Sequence, residues 1–323
     1  MKATWISKLS ILCAALCTTG AAFADTYPSH PITIIVPYVP GGGPDVTARL
    51  VGAEISKRLG QPVVIENKAG AGGQIGMTQT ARAKPDGYTL GIGLVTNLSL
   101  APHTYKNLPY TPQKDLAPVA LAAINYQALV SRPDAPFKNV SEMIAWAKAH
   151  PDELKIGTTS VGGQPHMAFE LLAHMSGFTF LNVPYKGNGM VTSDLTGGRI
   201  DLSVTSYTSV APLIESGKLK LLGITYDKRD PKLPDLPTIG ETVEGYDSVG
   251  WVGFVAPAGT PADIVNLLNT EINRALEQPA LQQALSAQGL IPVQKTPDDF
   301  AQLLHDEDKK FAKLVKDINY QPQ

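Results

Sequence analysis

Three glycine-rich turns are the parts of this sequence whose residue types and spacing could do chemistry. They cover residues 40–45, 70–74 and 157–164, and each follows a short apolar run and precedes a predicted helix. A strand that ends in glycine and opens a helix presents unpaired backbone N–H groups and the positive end of the helix dipole, so it tends to hold an anion. Three such turns in one chain predict a single anionic ligand that is bound from several sides.

The third turn also allows a nucleophilic site. Ser160 lies close to His166, and a serine paired with a histidine is the centre of many hydrolase sites. A nucleophile elbow, however, requires glycine two residues before the serine, where this chain has Thr158. We therefore favour the interpretation in which Thr158, Thr159 and Ser160 offer hydroxyl and N–H donors to an anion, and we keep an exported serine hydrolase as the alternative.

Two interpretations that involve a cofactor or a metal are weaker. Residues 70–76 come close to a dinucleotide fingerprint, but that pattern needs glycine where Ile75 stands. His166, Glu170 and His174 are spaced four residues apart on one predicted helix, yet this stripe rotates by about 80° over eight residues. We expect a partly buried His166 beside an ordinary helix face, and neither a cofactor nor a metal.

Four other side chains allow two interpretations each. Asp45 opens the first predicted helix, where its carboxylate can cap backbone N–H groups or face a ligand. Tyr38, Tyr185 and Tyr207 can line a cleft and stack on an organic ligand, or they can be ordinary core aromatics. The sequence alone leaves both possibilities open for each residue.

The N-terminus predicts export. Lys2 and Lys8 accompany an apolar stretch over residues 9–16, and a small-x-small cleavage site follows at residues 22–24. The apolar stretch has the length of a signal peptide and is too short to span a bilayer. We therefore expect a signal peptide over residues 1–24, cleaved after about Ala24, and a mature protein in the periplasm.

Composition excludes several classes of protein. Cys13 and Cys17 are the two cysteines, and both lie in the predicted signal peptide, so disulfides and thiol catalysis are not expected in the mature chain. The 27 basic and 29 acidic residues include no long basic block, which argues against nucleic-acid binding. The 323-residue length, less the signal peptide, suits two domains.

Predicted strands and helices alternate along the chain. Residues 32–36 read as a buried strand and residues 46–59 as a helix, and the alternation continues beyond a strand at 127–130. Ser141 is predicted to cap a helix, and residues 178–183 to form a strand. This alternation of strands and helices is typical of an α/β fold with parallel sheets. In such folds, ligands bind at the carboxyl ends of the strands. All three glycine turns lie at such ends.

Six motifs are spaced along the predicted mature chain in order. They are Tyr27-Pro28-Ser29-His30-Pro31-Ile32, Val36-Pro37-Tyr38-Val39-Pro40-Gly41-Gly42 with Asp45, Glu66-Asn67-Lys68-Ala69-Gly70-Ala71-Gly72-Gly73, Lys84-Pro85-Asp86-Gly87-Tyr88-Thr89-Leu90, Val183-Pro184-Tyr185-Lys186-Gly187 and Ala256-Pro257-Ala258-Gly259-Thr260-Pro261. With these motifs the chain resembles the Bug-type solute receptors, the periplasmic components of tripartite tricarboxylate transporters. The resemblance covers essentially the whole mature chain and its motifs are specific.

The resemblance implies a two-domain α/β fold of the type II periplasmic-binding-protein class, a Venus flytrap with a hinge of crossing strands. Domain I would comprise residues 25–124 plus 227–323, and domain II residues 125–226. The second crossing could instead lie nearer residue 250.

The resemblance also implies that the two domains close on a small carboxylate. The candidate ligand-binding residues are Val39, Gly41, Gly42, Asp45, Ala71, Gly72, Thr96, Asn97, Thr158, Thr159, Ser160, Gly162, His166, Tyr185 and Thr205. Family members commonly carry an aspartate at the position of Thr205. The replacement of this aspartate by threonine argues against an amino-acid ligand.

We therefore expect a periplasmic solute receptor rather than an enzyme. The expected ligand is a di- or tricarboxylate, aromatic or aliphatic, which the closed protein delivers to the membrane permease of a tripartite tricarboxylate transporter. The resemblance implies a monomer that needs no cofactor and no nucleic-acid partner.

Overall fold

The computed structural model describes residues 27–125, 127–159, 161–229 and 234–322. The predicted signal peptide and Ser160 lie outside these residues. The described chain folds into two β-sheets with helices packed against them.

Eleven strands are present in the described part of the chain. They are β1 (Ile32–Val36), β2 (Val63–Asn67), β3 (Thr89–Leu94), β4 (Leu116–Asn125), β5 (Gln127–Ser131), β6 (Lys155–Thr158), β7 (Leu181–Pro184), β8 (Leu202–Ser206), β9 (Lys220–Ile224), β10 (Gly250–Pro257) and β11 (Ile291–Pro292). The first sheet has the strand order β11-β4-β10-β3-β1-β2, and the second has the order β7-β6-β8-β5-β9.

Helices connect most of these strands. They are α1 (Gly43–Leu59), α2 (Gln74–Ala81), α3 (Ala101–Thr104), α4 (Pro112–Asp115), α5 (Val140–Ala149), α6 (Gln164–Ser176), α7 (Asn188–Thr196), α8 (Tyr207–Glu215), α9 (Ala262–Leu276), α10 (Pro279–Ala287) and α11 (Pro297–Asp317). Two short turns precede α2 and α3, a 3₁₀ turn over Ala71–Gly73 and a wide π turn over Thr96–Leu100.

The first sheet gathers the carboxyl ends of its parallel strands at one edge. β1, β2 and β3 run parallel, and β10 runs antiparallel to β3 and β4. Leu94 at the end of β3 pairs with Val252, and Gly250 at the start of β10 pairs with Asn125 at the end of β4. The carboxyl ends of β1–β3 therefore lie where the chain leaves β4 and where it enters β10.

The second sheet has the same arrangement. β6, β7 and β8 run parallel, whereas β5 runs antiparallel to both β8 and β9. Ser206 at the end of β8 pairs with Gln127 at the start of β5. The carboxyl ends of β6–β8 therefore lie where the chain enters β5.

The chain passes between the sheets twice, and both passages lie at these edges. β4 ends at Asn125 and β5 begins at Gln127, so the first passage is immediate. The second passage runs from the end of β9 to Gly250, and within it Thr238 forms a parallel bridge with Ile224. Each sheet thus turns the carboxyl ends of its parallel strands toward the crossings, where open α/β sheets form ligand-binding crevices.

Three apolar clusters of described residues stabilise this arrangement. One packs α1 and α9 on the first sheet around residues such as Ile34, and a smaller one covers part of the second sheet around Ala128. The largest contains residues of both sheets, for example Leu121 and Leu129, together with Phe300 of α11. The last helix is therefore part of the packing that joins the two halves.

The structure differs from the sequence predictions at several elements. The helix predicted to be capped by Ser141 is capped by Asn139, whose side chain accepts a hydrogen bond from the Glu142 backbone N–H. The strand predicted to begin at residue 178 begins at Leu181. The candidate residues Thr96 and Asn97 lie in the π turn, where Asn97 is fully buried.

Candidate functional site

The first glycine turn is braced by the carboxylate of Asp45. Asp45 Oδ2 accepts hydrogen bonds from the Gly41 backbone N–H and from Arg49 Nε, both at 2.9 Å, and its Oδ1 accepts one from Asn67 Nδ2 at 2.9 Å. Asn67 Nδ2 also donates to the carbonyl of Tyr38 at 3.1 Å. The Asp45 side chain therefore fixes the turn from within and ties it to the end of β2.

The same contacts set the ionisation of Asp45. Burial alone would raise the pKa of this carboxyl, since the side chain is only 3% exposed. Hydrogen bonds from Arg49, Gly41 and Asn67 more than offset the burial and hold the pKa below its ordinary value. Asp45 is thus an ionised brace with both oxygens engaged.

Two members of this brace, Arg49 and Asn67, are not among the candidate residues predicted from the sequence. Arg49 stands four residues after Asp45 on α1, a spacing that favours an ion pair on one helix face. Asn67 ends β2, at the carboxyl edge where functional side chains collect. Both positions could therefore have been identified from the sequence pattern.

The second glycine turn has a backbone that only small residues adopt readily. Gly70, Gly72 and Gly73 all have positive φ, as does Ala71 at +47°. A Cβ atom at Gly73 would lie 3.2 Å from the Tyr38 hydroxyl and 3.2 Å from Asn97 Nδ2. The turn therefore brings its backbone directly against these two polar atoms.

Tyr38 and Asn97 present two buried donors that lack acceptors among the described residues. Asn97 Oδ1 accepts from the Leu94 backbone N–H at 2.8 Å, which fixes the amide so that Nδ2 faces Gly73. Neither Asn97 Nδ2 nor the Tyr38 hydroxyl makes a hydrogen bond of ordinary geometry within the described residues. Burial raises the pKa of Tyr38 well above the usual range, and the neighbouring Asn97 amide offsets this only in part. Because buried donors in proteins are almost always hydrogen-bonded, these two donors indicate an acceptor from outside the chain.

The helices that begin at the glycine turns have no side-chain cap among the described residues. α1, α2 and α6 each start after a glycine, and no described side chain accepts a hydrogen bond from their first N–H groups. In contrast, α5 and α11 are capped by Asn139 and Thr296. The uncapped helix starts retain the backbone donors and the positive dipole end that bind anions.

The third turn is held by His166. His166 Nδ1 accepts a hydrogen bond from the Gly162 backbone N–H at 3.0 Å, so its proton resides on Nε2, which lies 3.2 Å from Glu170 Oε1. Both ring nitrogens are therefore engaged, and neither is available as a base for Ser160. The Gly162 N–H is likewise used within the turn.

The remaining candidates of the second sheet differ in their surroundings. Thr158 Oγ1 donates to Asn182 Oδ1 at 2.7 Å, and the Tyr185 hydroxyl donates to Asp194 Oδ2 at 2.9 Å. Burial, together with Asp194, raises the pKa of Tyr185. Thr205 is buried at the end of β8, and its Oγ1 has no partner among the described residues.

The two edges approach each other at the third turn. A Cβ atom at Gly162 would lie 3.3 Å from Thr104 Cβ, at the end of α3. The exposed candidates on the first-sheet side belong to the first two turns and are Val39, Gly41, Gly42, Ala71 and Gly72. Thr96, Thr159 and Tyr207 are half-buried. The predicted residues thus divide between two edges that face the crossings.

The described ranges contain neither a metal-binding cluster nor a membrane-spanning helix. No group of three or more His, Cys, Asp or Glu side chains is placed there to hold a metal ion. Along the predicted stripe, Glu170 pairs with His166, whereas His174 lies 3.4 Å from Asp317 of α11. Within these ranges no helix combines the length and the apolar character needed to cross a membrane.

Comparisons with solved structures relate this architecture to receptors. The chain is similar to the periplasmic binding protein BugD, with a TM-score of 0.74 and 33% identity over 92% of this chain and all of that one. It is similar to Rpa4515 of R. palustris with adipate, with a TM-score of 0.77 and 33% identity over 92% of this chain and all of that one. For MatC of Rhodopseudomonas palustris with bound malate, the TM-score is 0.73 with 34% identity over 90% of this chain and all of the other.

The fold is therefore the two-domain α/β fold of periplasmic binding proteins, as the motifs predict. Protein BugT of Bordetella pertussis is 37% identical over 320 residues, which cover 96% of each chain. Residues 47–320 match the family model described as tripartite tricarboxylate transporter family receptor. The chain belongs to this family of Bug-type receptors of tripartite tricarboxylate transporters.

Proposed function

We propose that this protein is a periplasmic solute receptor that binds a small di- or tricarboxylate in the crevice between its two sheets. The observation that carries the proposal is the pair of buried donors, Tyr38 OH and Asn97 Nδ2, beside the uncapped starts of α1 and α2. A carboxylate accepts several hydrogen bonds at once and would satisfy both donors. Adipate and malate in the structures of relatives support the same ligand class.

One carboxylate of the ligand is assigned to the first-sheet side. The backbone N–H groups of the first two turns, with Thr96, Asn97 and Tyr38, would surround it. Because Asp45 has both oxygens engaged by Gly41, Arg49 and Asn67, its role is to hold the turn rather than to touch the ligand.

The other end of the ligand is assigned to the second-sheet side. Thr158, Thr159, Tyr185 and Thr205 border this edge, and the unpartnered Thr205 Oγ1 is a neutral group that does not attract an ammonium. A ligand with a second carboxylate, rather than an amino acid, is therefore favoured. The engaged nitrogens of His166 assign it the role of supporting the third turn.

We also propose that the two sheets are the centres of two domains that close on the ligand. The boundaries at residues 124/125 and in the segment before Gly250 are supported by the positions of the two chain crossings. The bridge between Ile224 and Thr238 favours the second boundary nearer 250. Closure would bury the ligand, so that a membrane permease can distinguish the loaded form from the empty one.

We also propose where the protein acts and in which assembly state. The signal peptide expected over residues 1–24 would direct the protein to the periplasm, where we propose that it acts as a monomer. An exported hydrolase is the rival function, but a Ser160 nucleophile would need a free nitrogen on His166, and both nitrogens have partners.

Thermal unfolding of the mature protein tests the proposed ligand class. Adipate or malate should raise the melting temperature progressively with concentration, because a ligand that binds only the folded state stabilises it. Adipamide, which has the same length but no charge, is the control and should leave the melting temperature unchanged. An equal rise with adipamide would contradict carboxylate recognition. Ester turnover that disappears in Ser160→Ala would instead support the hydrolase.

A further inference from the structure

Glu307 is a buried carboxylate that the proposed ligand contacts do not use. It lies in the middle of α11 and is 5% exposed. Its Oε2 atom accepts two hydrogen bonds, from Ser99 Oγ at 2.6 Å and from Trp251 Nε1 at 2.9 Å. One oxygen therefore joins three segments that are distant in sequence, namely the last helix, the turn after β3 and the first part of β10.

The bond to Ser99 acts on the turn that carries Asn97. Both residues belong to the π turn over Thr96–Leu100. The Asn97 carbonyl accepts from the Tyr110 hydroxyl at 2.7 Å, and its side chain is fixed by the Leu94 N–H. Hydrogen bonds therefore hold the turn at Ser99, at the Asn97 carbonyl and at the Asn97 side chain. Together these bonds set the direction of Asn97 Nδ2.

The bond to Trp251 acts on a chain crossing. Trp251 is the second residue of β10 and pairs with Ile124 near the end of β4, where the chain passes between the sheets. Its ring is 2% exposed and meets the ring of Phe300 at a centroid distance of 5.3 Å. A change in the position of Trp251 would therefore alter its hydrogen bond to the Glu307 carboxylate.

Burial disfavours the charged form of Glu307. Burial raises the pKa of Glu307, while the Lys310 ammonium and the two hydrogen bonds offset the rise only in part, and the nearby Asp247 adds to it. A carboxyl whose pKa is raised on folding stabilises the fold below its unfolded pKa and loses that contribution as the pH rises through the folded value. A carboxylate oxygen at this fixed point is a stronger acceptor than a neutral oxygen.

We propose that Glu307 is a positioning residue for ligand binding, which fixes the Asn97 turn through Ser99 and links that turn to the crossing through Trp251. The inference rests on the proposed function, because Asn97 is the donor that Glu307 would position. A donor that is already oriented loses less conformational freedom when the ligand arrives. Weakening the acceptor at position 307 should therefore weaken binding without unfolding the protein.

The variant Glu307→Gln of the mature protein tests this. Its amide oxygen can still accept from Ser99 and Trp251, but without the charge. The dissociation constant for adipate or malate, measured by calorimetry at pH 7, should rise by about five- to tenfold. The melting temperature without ligand should not fall below that of the wild type. A dissociation constant within twofold of the wild-type value would overturn the inference.

Glu271→Gln is the matched control. Glu271 is also buried, at 6% exposure, and pairs with Arg274 at 2.7 Å and Arg58 at 3.8 Å, on α9 rather than beside the Asn97 turn. This variant should melt at a lower temperature and bind with an unchanged dissociation constant. If it weakens binding as much as Glu307→Gln does, the effect is general and the positioning role is rejected.

Fluorescence tests the link to the crossing. Trp146→Phe leaves Trp251 as the only tryptophan after residue 24. Adipate or malate should shift its emission in this background, and Glu307→Gln should reduce the shift. Binding that calorimetry detects but that leaves the Trp251 emission unchanged would overturn the link. If the wild type binds neither carboxylate, the proposed function fails; if only the Glu307 effects are missing, the inference alone fails.

Discussion

Tyr38 and Asn97 each hold a hydrogen-bond donor that the described chain does not satisfy. From the sequence, Asn97 is a predicted site residue, and Tyr38 is a candidate for stacking on the ligand. In the fold, the Tyr38 hydroxyl lies against the backbone of Gly73. The chain makes this close contact with a φ angle of +96° at that glycine. A residue type can therefore be read from the sequence, but the direction of its polar atom depends on tertiary contacts.

Tyr38→Phe should separate binding from stability. Removing the hydroxyl takes away one donor to a charged acceptor, worth about 1.5–3 kcal/mol, so the dissociation constant for a bound carboxylate should rise by about tenfold or more. The melting temperature without ligand should be unchanged, because the hydroxyl makes no hydrogen bond of ordinary geometry within the described residues. Calorimetry and thermal unfolding provide the two measurements.

Tyr246→Phe is the control for that substitution. The Tyr246 hydroxyl is also buried, but it donates to the Ala168 carbonyl at 3.0 Å. Its removal should cost about 1 kcal/mol of unfolding free energy and leave the dissociation constant unchanged. The opposite pattern, with Tyr38→Phe destabilised and its affinity intact, would contradict a ligand-facing Tyr38.

Asp45→Asn should loosen the first turn. The Asp45 carboxylate accepts from three donors, so an amide at this position would turn its own N–H atoms toward at least one of them. We expect a loss of about 1–2 kcal/mol of unfolding free energy at pH 7. Because folding lowers the pKa of Asp45, its contribution is present above the ordinary aspartate pKa of about 3.9 and disappears as the pH falls through the folded value.

Urea unfolding at pH 7 and near pH 3 tests the predicted pH dependence of the stability that Asp45 contributes. The gap in stability between wild type and Asp45→Asn should be widest at pH 7 and should narrow in acid. An equal gap at both values would mean that the ionised carboxylate is not the source of the stabilisation.

At the scale of elements, the proposed ligand contacts lie at the helix starts that follow the glycine turns. The sequence predicted all three, because glycine and a following helical pattern are local signals. It did not predict β4, which pairs with β10 and contains Pro118 opposite Val255. Proline is unfavourable inside a strand, and it is tolerated here because β11 pairs only with the far end of β4, at Ala123 and Ile124. That exception depends on the neighbouring strands.

Gly73→Ala should disturb the second turn. Alanine is strained at a φ of +96°, and its methyl group would meet the Tyr38 hydroxyl and Asn97 Nδ2. Gly60→Ala is the matched control, since Gly60 has a φ of +68° at the end of α1 with open space around it. Both variants should lose about 1 kcal/mol of stability, and only Gly73→Ala should weaken carboxylate binding in calorimetry. Equal affinities would place the ligand away from this turn.

At the scale of the molecule, two sheets present their strand ends to two chain crossings. The alternating pattern and the motifs predicted an α/β receptor fold, and the structure and the family match confirm it. The packing of α11 could not be predicted, because its Phe300 and Glu307 reach partners far away in sequence.

Calorimetric titration of the purified mature protein at neutral pH tests the central claim most directly. Adipate and malate, with other di- and tricarboxylates, would be titrated alongside amino acids and uncharged solutes of similar size. We expect saturable, one-to-one binding of at least one di- or tricarboxylate and no heat of binding from the uncharged solutes. Binding of only amino acids or uncharged solutes would contradict the assignment of the crevice as a carboxylate site.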